Sequence, residues 1–249
     1  MKNGLTGLII GLAGGFLGAL IGLGGGVVMI PLMTMLLKLT QLKAHGTSLV
    51  AVVFTALAGA VTYYFHGAAD WKVAALIAAT AMITARFGAL YANSLPEKKL
   101  KRAFGVMLIC VALLLFIRGF LPRSTAQLGS AVYVIIFLGT GVVTGFVSGM
   151  MGGGGGVVMI PPMVLLAGMP QQLAQGTSLL AMMPVCLIGA FTHYRLGNVQ
   201  LNVATGISVG AIVGGYIGGT VANILPELHL KIIFSFVLIW MGQRYVRTK

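Results

Sequence analysis

From Leu5 to Leu37 the chain is one apolar run of 33 residues with three consecutive glycines in its middle, and a second such run lies between Ala131 and Met169. As a single helix the first run would be about 50 Å long, against a hydrocarbon core of about 30 Å. Glycine costs about 1 kcal/mol relative to alanine in a helix interior. "GLGGGVVMI" (Gly22–Ile30) and "MGGGGGVVMI" (Met151–Ile160) therefore break the helices that contain them. A broken backbone survives in hydrocarbon only inside protein or beside a water-filled cavity. Each run is read as either a re-entrant hairpin of two arms or one full span followed by a short one.

Composition puts these runs in a membrane. The 249 residues are 58% hydrophobic and 8% charged, with a mean hydropathy of +1.02, where a soluble domain carries about a quarter charged residues. The reading is an all-α polytopic membrane protein. Lys2 followed by an apolar run resembles a signal peptide, but the run outlasts an h-region and lacks a clear cleavage site. Cys110 and Cys186 stand in apolar runs without metal or redox spacing and are read as packing residues. The net charge of +13 falls mainly in loops and at the ends of apolar runs, as topology determinants do. No aromatic-basic stripe accompanies it, so nucleic acid is not expected as a partner.

Shifted by 130 residues, the chain lies on itself without a gap. "GGGVVMIPLM" (Gly24–Met33) meets "GGGVVMIPPM" (Gly154–Met163), and "AHGTSLVA" (Ala44–Ala51) meets "AQGTSLLA" (Ala174–Ala181). Between positions 44 and 67, 12 of 24 residues equal their partners. Such duplication is the usual scaffold of secondary transporters, with the substrate site where the halves meet. The expected organisation is repeat one at 1–121, a linker at 122–130 and repeat two at 131–249. Each repeat holds a broken segment and three spans, near Thr47–His66, Trp71–Ala92 and Ala103–Leu121, then near Thr177–Leu196, Leu201–Ala222 and Leu230–Val246. Read as hairpins, the breaks make the repeats inverted and split the loop and terminal cations 11 against 4; read as crossings, they split them 7 against 8. The positive-inside rule favours inverted repeats with both termini cytoplasmic.

A glycine run opens the N-terminus of the half-helix that follows it, where free N–H groups and the positive end of the helix dipole attract an anion. Pro31 and Pro161, a turn further on, free another carbonyl. The scattered Gly210, Gly214 and Gly218 are read as helix packing. Thr47-Ser48 and Thr177-Ser178 follow a glycine at the expected start of a span, as N-caps or as hydroxyls on the anion path. His45 is matched by Gln175 and Tyr63 by His193, so neither histidine is duplicated. Tyr64, Tyr194, His193 and Arg86 are candidate lining residues, with packing or snorkelling as the plainer role. Asp70, Glu97 and Glu227 all lie outside the expected spans, which disfavours a cation pump and favours an anion. No metal, cofactor or catalytic constellation is expected, and the chain is read as a non-enzyme.

The duplicated "GLGGGVVMIPLM"-type break, followed by "HGTSL" or "QGTSL" and later by "LPEKKLK" or "LPELHLK", resembles the TauE/SafE family of sulfite exporters over nearly the whole chain. The resemblance implies an inner-membrane transporter of small sulfur-containing anions such as sulfite, sulfonates or thiosulfate. It points to Gly24, Gly25, Gly26, Pro31, Gly46, Thr47 and Ser48, and to Gly154, Gly155, Gly156, Pro161, Gly176, Thr177 and Ser178. The expected partners are that anion and the bilayer, and a homo-oligomer is compatible with the sequence. A passive anion channel is the competing function, since the same helix N-termini would serve it.

Overall fold

The computed structural model describes residues 2–100 and 130–226 continuously, with isolated positions between 102 and 113 and between 236 and 243. The expected spans near Ala103–Leu121 and Leu230–Val246, with Cys110 and Glu227, fall largely outside the described residues. Among those residues the chain is helical with no strand. The order is α1 (Lys2–Leu20), α2 (Gly26–Leu36), α3 (Gln41–Phe65), α4 (Trp71–Ser94), α5 (Ser130–Met151), α6 (Gly156–Leu165), α7 (Gln171–Arg195) and α8 (Leu201–Ile224). Of these, α3, α4, α5, α7 and α8 are long and apolar enough to cross a membrane. This is a multi-pass membrane protein.

Carboxylates sit at helix ends, where orphan N–H groups need acceptors. Asp70 caps α4 by accepting from the Lys72 and Val73 amides at 2.9 and 3.2 Å. Glu97 accepts from the Gln41 amide at 3.1 Å, in the first turn of α3. Large apolar side chains such as Leu5, Ile9, Phe65, Phe191 and Ile224 stay exposed, as a lipid-facing surface requires.

Small residues set which helices touch. Gly7, Gly11 and Gly15 of α1 lie on Val203, Ile207 and Ala211 of α8, while Gly210, Gly214 and Gly218 lie on Leu8, Leu12 and Phe16. The register rises on both helices, so they run parallel. In the same way Gly141, Gly145 and Gly149 of α5 meet Ile77, Ala81 and Ala85 of α4, and these also run parallel. Without a hydrophobic driving force in lipid, close backbone approach is what holds such pairs. The central helices α3 and α7 cross antiparallel, with Leu49 at Gly189 and Leu179 at Gly59. Asp70 and Asn93, at the two ends of α4, bond Thr177 and Asn198 at the two ends of α7, so α4 and α7 share a direction.

Both broken segments are hairpins. Gly25 returns against Gly18 and Met29 against Gly14, so α2 runs back along α1. The Tyr133 hydroxyl near the start of α5 donates to the Ala167 carbonyl just past α6, at 2.8 Å. The second hairpin thus closes at the end where it opened.

Candidate functional site

Each half-helix starts from a left-handed glycine. Gly25 (φ 87°, ψ −10°) and Gly155 (φ 89°, ψ −8°) immediately precede α2 and α6. That conformation is costly for a residue with a Cβ and free for glycine. The Gly25 carbonyl takes the Val28 and Met29 amides at 3.0 and 2.9 Å, and the Gly155 carbonyl takes those of Val158 and Met159 at 2.9 and 3.1 Å. The Gly26 and Val27 amides, like those of Gly156 and Val157, have no backbone acceptor among the described residues. Two uncapped helix N-termini result.

The two tips lie against each other. A Cβ on Gly26 would stand 2.5 Å from the Gly152 carbonyl and 2.9 Å from the Gly153 Cα; one on Gly156 would meet the Gly22 carbonyl and the Leu23 Cα. Val52 of α3 and Met182 of α7, 130 positions apart, pack against both Gly24 and Gly154. The crossing therefore sits near the middle of the two central helices.

Hydroxyls clamp each tip from the other half. Ser48 Oγ donates to the Gly152 carbonyl at 2.7 Å, and Ser178 Oγ donates to the Gly22 carbonyl at 2.6 Å. Ser48 is in the second turn of α3 and Ser178 in the second turn of α7, which runs the opposite way. The clamps thus lie on opposite sides of the Val52–Met182 layer.

Behind each clamp stands a polar pair. The Tyr63 hydroxyl lies 3.1 Å from the Ala19 carbonyl and 3.2 Å from Gln175 Oε1. Across the pseudo-symmetric arrangement, His193 Nε2 lies 2.8 Å from the Gly149 carbonyl and His45 Nδ1 3.1 Å from the Met150 carbonyl. His45 Nε2 is 2.8 Å from Gln41 Nε2. Thr144 Oγ1, Gln175 Nε2 and His193 Nδ1 are buried without a hydrogen-bond partner. Beside Gly155 a space of about 10 Å³, lined by Val27, Ser148, Gly153 and Val157 among others, has room for about one water. The crossing is closed.

Gly24, Gly25, Gly26, Gly154, Gly155, Gly156, Ser48 and Ser178 converge here. Pro31 and Pro161 are within the half-helices, a turn and a half from the tips. Several expectations need correction. The central helices begin at Gln41 and Gln171, so Thr47, Ser48, Thr177 and Ser178 are interior residues, not N-caps. Thr47 Oγ1 accepts from the Gln200 amide at 3.0 Å and Thr177 Oγ1 from the Asp70 amide at 2.9 Å, which ties them to interhelix turns. Gly46 and Gly176 lie against His193 and Asn198, and against Tyr63 and Ala68; they let α3 and α7 approach. Tyr64 and Tyr194, 61% and 54% exposed, and exposed Arg86 face outward. Tyr194 instead lines an outer apolar groove with Phe54 and Phe191.

Sequence reasoning passed over Tyr63, His45, Gln175, Gln41 and Thr144. Their available signal was polarity without identity: positions 45 and 63 are polar in both copies, though the residue changes. Among the described residues the carboxylates Asp70 and Glu97 stand at helix ends, away from the tips.

Comparison with known proteins agrees with this architecture. The family model described as "Sulfite exporter TauE/SafE" matches residues 7–245. The chain is 27% identical over 233 residues to the "Probable membrane transporter protein YdhB" of Bacillus subtilis (strain 168), covering 91% of this chain and 90% of that one. It is 30% identical over 209 residues to a "Probable membrane transporter protein" of Xylella fastidiosa (strain Temecula1 / ATCC 700964), covering 82% and 76%. No solved structure gives a significant match. With a match spanning nearly its full length, the chain belongs to the TauE/SafE sulfite exporter family of membrane transporters.

Proposed function

We propose that this chain is a secondary transporter moving a small sulfur-containing anion (sulfite, a sulfonate such as sulfoacetate, or thiosulfate) across the inner membrane by alternating access. Residues 1–121 and 131–249 act as inverted repeats joined by 122–130, and the anion binds where the two breaks cross. One observation carries the reading: two uncapped helix N-termini, one from each half, abut near the middle of the bundle with no described carboxylate beside them. Their N–H groups and dipoles form an anion site. The helix directions support inversion, because α1 and α3 oppose their counterparts α5 and α7. The cation split supports cytoplasmic termini.

The serine clamps supply the two gates. Each ties a tip to the opposite half on its own side of the Val52–Met182 layer. Releasing one while holding the other exposes the crossing to one side only, as rocking repeats require.

The test is uptake into proteoliposomes from a panel of sulfite, thiosulfate, sulfoacetate, taurine, sulfate and acetate. Saturable uptake of a sulfur anion, with counterflow of labelled substrate, is expected. Flux that never saturates and shows no counterflow would establish a channel instead. Gly26→Ala and Gly156→Ala, which wedge a methyl between the tips at ordinary helical backbone angles, should each cut the rate by an order of magnitude or more while the protein still inserts.

A further inference from the structure

We propose that His45, held on the end of α5 beside His193 and Gln41, binds a proton that travels with the anion. The inference rests on the transport reading above. A carbonyl only accepts, so His45 Nδ1 donates to the Met150 carbonyl at 3.1 Å and His193 Nε2 donates to the Gly149 carbonyl at 2.8 Å. Two buried imidazoles therefore sit on consecutive carbonyls at the C-terminus of α5, the end of a helix that favours positive charge. In the neutral ring, His45 Nε2 accepts from Gln41 Nε2 at 2.8 Å, and Gln41 Oε1 is buried with no partner. When a proton adds to the Nε2 lone pair, half a turn of the Gln41 amide brings that oxygen round to accept the new N–H. Both protonation states are then satisfied by the same side chain.

The charged groups around His45 supply no counter-ion in the core. Glu97, on the preceding turn, is exposed and bonds the Gln41 backbone amide. On α3, Lys43 is exposed; on α7, exposed Arg195 lies over the Phe191 ring at 4.6 Å, and Cys186 faces Ser148 and the Gly154 carbonyl. His193 stays neutral, because two imidazolium rings on adjacent carbonyls would repel. An anion at the neighbouring tips is the partner that neutralises a charged His45. Anion and proton then raise each other's affinity by the same factor, and the loaded site crosses as a neutral pair. The opposite break has Gln175 and Tyr63 at these positions and binds no proton there.

The experiment follows the internal pH of proteoliposomes with an entrapped pH dye during uptake of the best panel anion. The wild type should acidify the lumen in step with uptake, and a pH gradient, acid outside, should drive accumulation. His45→Gln with His193→Tyr installs the pair that the other break already accommodates. That variant should take up the anion down its gradient with proton movement reduced at least about tenfold, and His45→Gln alone should behave alike. Tyr63→Phe should leave coupling intact. Anion uptake by the wild type without acidification, uptake driven by a sodium gradient at constant pH, or full coupling in His45→Gln would each overturn the proposal. Absence of saturable uptake by the wild type would overturn the transport reading itself.

Discussion

The two breaks share a backbone and differ in what surrounds it. Gly25 and Gly155 have the same left-handed angles to within a few degrees, and each tip receives a serine from the other half. Yet the space a Cβ would take at Gly25 is filled by the Gly14 carbonyl, whereas at Gly155 it is filled by the side chains of Thr144 and Ser148. Break one is backbone packed on backbone, backed by Tyr63 and Gln175. Break two is lined by hydroxyls, backed by two histidines, and contains a water-sized space. Steric demands held the chain path constant between the halves while side-chain chemistry diverged. Break two is where polar groups remain to be satisfied, so it is where a ligand has most to gain.

The largest test of this contrast is alanine at the paired left-handed glycines. Gly25→Ala sets a methyl on a carbonyl that cannot turn away and should lose about 3 kcal/mol or more. Gly155→Ala meets side chains that can rotate and should lose about 1–2 kcal/mol, chiefly for the left-handed backbone. Melting in detergent should separate the two by several degrees; equal losses would erase the distinction. Tyr63→Phe should come next, at about 1–3 kcal/mol, because it strands the buried Ala19 carbonyl and Gln175. His193→Phe is the matching probe at break two, and a much smaller loss there would show that the imidazole is not a clamp.

Smaller and symmetric effects should follow from the serines. Ser48→Ala and Ser178→Ala each remove one cross-half hydrogen bond, worth about 1 kcal/mol. Unequal melting shifts would show one gate to be the tighter in the closed form. The smallest stability change is expected of Thr144→Val, which deletes a buried hydroxyl that has no partner and conserves shape. Stability should stay within about 0.5 kcal/mol or rise slightly. If the hydroxyl serves the anion, half-saturation of uptake should nevertheless move to higher concentration.

Some of this was legible in the residues alone. Five spans, two breaks and their duplication all follow from local rules, since hydrocarbon demands long apolar helices and glycine runs end them. The packing role of Gly210, Gly214 and Gly218 was legible for the same reason. Side-chain direction was not. Tyr64 and Tyr194 attracted notice because they are paired across the halves, but adjacent helical positions point about 100° apart. Tyr63 and His193 turned inward, and their neighbours met lipid. The serine at position 48 looked like a cap because helix starts lack a strong signal at Gln41. It lies a turn and a half inside, where its hydroxyl can reach the opposite tip.

The sequence by itself determined that this chain lives in a membrane, is helical, and breaks itself twice at equivalent places. Those properties depend on residues near one another in the chain and on the solvent they must face. Only the tertiary structure decided that each break is a hairpin, that the tips cross, and that His45 and His193 settle on one helix end while Tyr63 and Gln175 settle on the other. These depend on contacts between residues more than 40 positions apart. Such contacts are chosen by which glycine-lined surfaces fit together, and a linear pattern does not encode that choice locally.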